Sequence, residues 1–175
     1  MVTGNHSGGR RRAWSSRAAR VKLVLAAALA GTATLGVLSA RQPNIPMSQQ
    51  NAQLNVQSQV SWFQNSTRTA SNYGGGGGDG YGLVFQQFQT LQGTYNAFKA
   101  SLSPQQIAAG ANELAELDAG LGILSEAFGN FQQEVAEGQS STSAFNEMCQ
   151  VLYQASGVWL QEFNSVCSRL RVGWQ

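Results

Sequence analysis

The sequence predicts an all-α protein: a four-helix bundle or long helical hairpins, following an N-terminal apolar segment. Three observations carry this. Apolar side chains recur every three or four residues along four separate stretches. No run alternates apolar and polar residues for long enough to form a strand. Helix start and stop signals fall between the stretches, most clearly at Ser103 and Gly138.

The first stretch spans about residues 48–73. Val56, Val60, Phe63, Thr67 and Ala70 fall 4-3-4-3 apart, one face of a helix, with Ser48 as a plausible cap. The remaining positions are mostly Gln, Asn, Ser and Thr. Gly74 to Gly80 (GGGGGDG) then predicts a loop, since each glycine costs a helix about 1 kcal/mol against alanine. A phosphate-binding loop would need Lys and Ser or Thr directly after its glycines; Asp79, Gly80 and Tyr81 stand there instead, which favours a flexible connector.

The second stretch, residues 81–102, has the strongest period. Val84, Phe88, Leu91, Tyr95, Phe98 and Leu102 form one stripe, read as core. Ser103, Pro104 and Gln106 begin the third, residues 104–137, with the pattern of a capping box. Its seam is Ile107, Ala111, Leu114, Leu117, Leu121, Leu124, Phe128, Phe131 and Val135. Gly120, Gly122 and Gly129 within it imply either a kink or the close approach of a neighbour. The fourth stretch, residues 143–171, is seamed by Phe145, Cys149, Leu152, Ser156, Trp159, Phe163, Val166 and Leu170. Arg169 and Arg171 suit the negative end of its dipole.

Ahead of this helical domain (residues 48–175) lie a basic and apolar segment, residues 1–40, and a linker, residues 41–47. Six basic groups and no acidic one precede Leu23–Ala40, which holds no charge over 18 residues. Three readings stay open. The segment is an export signal cleaved near Leu38-Ser39-Ala40, an uncleaved membrane anchor through residues 23–40, or an organelle-targeting peptide. With methionine at Val21 the stretch from there would be a compact signal peptide, and a GTG start codon reads as valine inside a longer frame, so Val21 is an alternative expected start to Met1. In both the export and the anchor readings positive charge stays inside and the body faces outward, periplasmic or extracellular.

Charge excludes several functions. Only 11% of the residues are charged, against about 25% in ordinary soluble domains. Glutamine, asparagine and glycine replace them, at 20, 11 and 20 residues. Residues 41–175 hold five basic and nine acidic groups, a net of −4, which opposes nucleic-acid binding. The single histidine, His6, precedes the helical domain, so that domain lacks the base of a Ser-His-Asp triad and the ligands of a Glu-x-x-His di-iron site. The expectation is a protein without catalytic, cofactor or metal residues. Glu113/Glu116 and Glu134/Glu137 are the carboxylate pairs closest to a cation site; beside an apolar seam they read as a solvated face.

Cys149 and Cys167 are the one candidate covalent site. Eighteen residues are five helical turns, so both face one way about 27 Å apart. On one unbroken helix they cannot bridge each other. Three arrangements remain: two buried thiols, an antiparallel dimer linking Cys149 to Cys167 of a second copy, or a break near Gly157. Trp159 and Trp174 are candidate contact residues, and Asn65-Ser66-Thr67 matches a glycosylation triplet.

The expected function is therefore association of helices with each other or with a protein partner. The stretch NAQLNVQSQVSWFQNSTRTASNYG, residues 51–74, behind an apolar export segment, is similar in outline to the early Gln-rich helix of periplasmic components and minor pilins of conjugative type IV secretion systems. That resemblance implies an exported subunit of a larger assembly and assigns no individual residue a role.

Overall fold

The computed structural model describes residues 47–72 and 78–172. The export or anchor segment, the alternative start at Val21, most of the linker, Gly74–Gly77 and Trp174 lie outside the described residues. Five helices and no strand occur among those described: α1 Met47–Asn72, α2 Gly78–Ser101, α3 Pro104–Ala109, α4 Ala111–Ala136 and α5 Ser141–Arg169.

Two expectations are corrected. The stretch 104–137 is not one helix but two, because Gly110 leaves helical geometry at φ −110° and ψ 18°. A Cβ there would meet the Leu170 methyls at 2.9 and 3.0 Å, so the C-terminal end of α5 occupies the space that an ordinary residue would need. Ile107 and Ala111, placed on the seam by the period, are accordingly exposed. The glycine loop is also shorter than its sequence suggests: Gly78-Asp79-Gly80 already form the first turn of α2. The N–H groups of a first turn lack helical partners in any case, and the Asp79 carboxylate suits the positive end of the dipole.

The capping box at α3 forms as its residues imply. The Ser103 hydroxyl accepts from Gln106 N at 3.2 Å, and Gln106 Oε1 accepts from Ser103 N at 2.9 Å. The same glutamine ties one end of the molecule together. Its Oε1 also accepts from Gln49 Nε2 at 3.0 Å, and its Nε2 donates to Leu170 O at 3.2 Å. Gln49 Nε2 reaches Ser101 O at 2.7 Å. One polar knot thus joins α1, the end of α2, α3 and the end of α5.

The four long helices pack as a helical bundle in which each sequence neighbour runs antiparallel. Phe63 of α1 meets Phe88 of α2 at 6.0 Å between ring centroids. The α2 and α4 pair is pinned by Tyr95 Oη donating to Leu114 O at 3.3 Å and Gln132 Nε2 donating to Tyr81 Oη at 3.1 Å. Phe131 and Phe145 link α4 to α5 at 6.0 Å. Gln57 to Asn164 at 2.8 Å and Ser71 to Asn146 at 3.2 Å close α5 onto α1.

The seams of α1, α2 and α5 are buried along their whole length. Each large apolar side chain so removed from water contributes about 1.5–3 kcal/mol before the entropy of ordering is set against it. Along α4 the seam drifts: Phe131 is half-buried, Val135 is 37% exposed and Glu134 turns inward.

Trp159 joins α5 to α2 and α4. It stacks on Phe163 at 5.5 Å with planes 7° apart and meets Tyr95 edge-on at 5.3 Å. Its Nε1 donates to Leu117 O at 2.9 Å. Gly120 is what admits the ring: a Cβ on that residue would stand 2.7 Å from Trp159 Cδ1. Of the two readings of the α4 glycines, close approach therefore applies at Gly120, while Gly122 and Gly129 face open space.

These environments predict opposite signs for one chemical change. Gly120→Ala should destabilise the bundle by about 1–3 kcal/mol through overpacking. Gly122→Ala should stabilise it by about 0.5–1 kcal/mol through helix propensity. Urea unfolding of the two variants beside the parent checks both; equal signs would mean that Trp159 does not press on Gly120.

Candidate functional site

Along most of their length α1 and α2 are uncharged, with Arg68, Asp79 and Lys99 towards the helix ends, and they carry exposed apolar side chains. Residues 47–67 of α1 and 80–98 of α2 contain no Asp, Glu, Lys or Arg. The acids lie mostly elsewhere: Glu113, Glu116, Asp118, Glu126 and Glu134 on α4, and Glu147 and Glu162 on α5. Opposite the buried seam of α1, Trp62 is 63% exposed and Leu54 is 52% exposed. Leu83, at 44%, stands on α2. The other exposed positions of α1 are Asn51, Asn55, Ser58, Ser61, Asn65, Arg68, Thr69 and Asn72.

Local sequence explains this arrangement. Val56, Val60 and Phe63 drive one face of α1 inward, so Trp62, one residue from Phe63, is rotated 100° away from it. A large exposed aromatic among amides is a common composition at contact surfaces, where it offers area at little entropic cost. The sequence reading singled out Trp159 and Trp174 as contact candidates and passed over Trp62. Trp159 is buried and Trp174 lies outside the described residues. The off-seam position of Trp62 was the signal available.

An open groove of about 560 Å³ lies between the end of α1 and the start of α5, with Arg68, Ser71, Asn146, Glu147 and Tyr153 among its lining and Cys149 beneath. Its guanidinium and carboxylate balance each other, so it selects no charge class. Asn65 of the glycosylation triplet is exposed on α1, where its Oδ1 accepts from Arg68 Nη2 at 3.4 Å.

The carboxylate pairs do not converge. Glu113 Oε1 pairs with Arg169 Nη1 at 2.9 Å, and Glu137 Oε1 accepts from Gln133 Nε2 at 2.9 Å. Arg169 Nη2 also reaches Glu162 at 3.5 Å. Burial raises the Glu162 carboxyl above its usual range, Arg169 opposes that shift, and Glu116 and Glu113 add to it. Among the described residues no three His, Cys, Asp or Glu side chains gather as a metal site requires.

Cys149 and Cys167 lie on one unbroken helix, so the arrangement with a break near Gly157 does not occur. That glycine stays helical with Gln64 Nε2 beside it. Both cysteines are free and buried, at 2% and 1% exposure. Each thiol sits inside its own bundle, and a link to a second copy would require that interior to open. Burial pushes both thiols up to about 12 and raises the Tyr95 phenol as well. These groups are held neutral, the state in which a thiol is a poor nucleophile.

Comparison with protein-family models, with curated proteins and with solved structures finds no match for this chain. Among the described residues no helix is long and apolar enough to cross a membrane.

The thiols give a signed pH prediction. Their usual value is 9.0 and their folded value about 12, so the native state holds these protons more tightly. Their contribution to stability is full below pH 9 and is lost as pH rises towards 12. The midpoint of thermal unfolding should therefore fall above pH 9, and less steeply in the Cys149→Ala/Cys167→Ala variant. Ellman's reagent at pH 8 should react with both thiols in urea and with neither in the native chain. Fast native reaction would show that the core around α5 is open.

Proposed function

We propose that this chain is an exported helical protein that works by association, not by catalysis. The observation that carries the reading is the largely uncharged outer face of α1 and α2, with Trp62 and Leu54 exposed on it. A face without charge associates at little desolvation cost, and tryptophan contributes disproportionately where surfaces meet. The acidic groups on α4 and α5 keep the opposite side solvated. The reactive groups of the bundle support the same reading, because Cys149, Cys167 and Tyr95 serve the core. The basic and then apolar run of residues 1–40 is the support for export to the periplasm or beyond. If that run is retained, the same bundle is the outward-facing domain of a membrane-anchored protein.

A second reading makes the chain a periplasmic component or minor pilin-like subunit of a conjugative type IV secretion system. It is favoured by the residues that carry the resemblance. Most of the stretch 51–74 is α1 itself, the helix that presents Trp62, Leu54 and the amide face.

Both readings place the chain in an assembly. Isolated natively from the extracytoplasmic fraction of its host, it should elute well above its 18.7 kDa on gel filtration. Trp62→Gln should release it as a monomer with unchanged helicity. A parent chain found in the cytoplasm and monomeric at native abundance would overturn the proposal.

A further inference from the structure

Independently of the association reading, we propose that the groove between the end of α1 and the start of α5 binds a small zwitterion with an apolar side chain, of the free amino acid class. Its volume of about 560 Å³ falls within the range of about 300–1,000 Å³ usual for small-molecule sites. The walls come from two helices and carry opposite charges, the Arg68 guanidinium on α1 and the Glu147 carboxylate on α5. Ser71 Oγ donates to Asn146 Oδ1 at 3.2 Å and holds the two walls together.

These charges are not spent on each other. Among the described residues the ion pairs are Lys99 with Asp118 and Arg169 with Glu113 and Glu162. Arg68 instead meets a neutral oxygen, Asn65 Oδ1, at 3.4 Å, the long end of hydrogen bonding. An anion drawn to Arg68 is repelled by Glu147, and a cation drawn to Glu147 is repelled by Arg68. A molecule that carries a carboxylate and an ammonium together matches both walls. The floor selects the rest of the ligand. Thr67 and Cys149 lie beneath the groove at 0% and 2% exposure. The Thr67 hydroxyl already donates to Gln64 O at 2.8 Å, and a buried thiol behaves as a small hydrophobe. Tyr153, 44% exposed, adds a ring to the lining. This surface suits an aromatic or aliphatic side chain. The groove is open to water, so each charge match has the modest worth of an exposed pair and the ligand exchanges rapidly.

The test is a 1H–15N correlation titration of the full chain at pH 6, where an α-amino group stays protonated. Three probes are compared. L-phenylalanine carries both charges, L-phenylalaninamide keeps the ammonium alone, and N-acetyl-L-phenylalanine keeps the carboxylate alone. L-phenylalanine should give saturable shifts at residues 67–72 and 143–153. Each of the other two should bind about fivefold more weakly, the size expected for one exposed charge pair. Arg68→Gln should lower L-phenylalanine to the affinity of the amide, and Glu147→Gln should lower it to that of the N-acetyl probe. The three probes on the parent chain decide the matter even if a substituted chain loses helicity. Probes that bind alike, shifts confined to other residues, no saturation by tens of millimolar, or folded variants that keep the parent's discrimination overturn the proposal.

Discussion

The packing of Trp159 against Gly120 is the contact on which the rest of the bundle depends. One indole joins three helices: its face covers Phe163, its edge meets Tyr95, and its nitrogen satisfies the Leu117 carbonyl. None of this is available unless residue 120 lacks a Cβ. The hydrogen bond matters more for what its loss would leave than for its net worth. A buried indole N–H without an acceptor costs about 1–3 kcal/mol. With α4 and α5 fixed in this register, the glutamine knot at one end and the ring cluster of Tyr81, Phe85, Phe128 and Phe131 towards the other fall into line.

Filling the interior with aromatic and aliphatic side chains has a functional consequence. Cys149, Cys167 and Tyr95 are taken up by the core. The two sides of the bundle then differ in kind. On α4 and α5 some carboxylates are paired, Glu113 and Glu162 with Arg169 and Asp118 with Lys99, and Glu134 is buried. On α1 and α2 amides and hydroxyls replace charge, and a tryptophan and a leucine stand among them. A protein with one acidic side and one neutral side meets other surfaces preferentially on the neutral side, because fewer ions have to be stripped of water there.

Much of this fold was legible as periodicity. Val84 through Leu102 and Phe145 through Leu170 read as core because their 3-4 spacing holds over several turns, and the Ser103 capping box was written in three residues. What escaped the sequence required knowing a neighbour. The break at Gly110 depends on Leu170, sixty residues away. Val135 turns outward and Glu134 inward at the end of α4, a break in the pattern that no earlier heptad of the helix announces. The role of Gly120 could be narrowed to a kink or a close approach, and only the position of Trp159 decides between them. The candidate site was the least legible part. Attention to seams selects residues that point inward, whereas Trp62 is exposed because it lies off the seam.

Hydroxyl-radical footprinting of the native chain, as isolated and after stepwise dilution, reads the central claim most directly. If the neutral face of α1 is the association surface, oxidation of Trp62 and Leu54 is low in the concentrated native sample and rises together on dilution. Val135, 37% exposed on α4, lies off that face and should be oxidised equally throughout. Trp62 fully accessible at every concentration, in the native assembly as well as alone, would contradict the account.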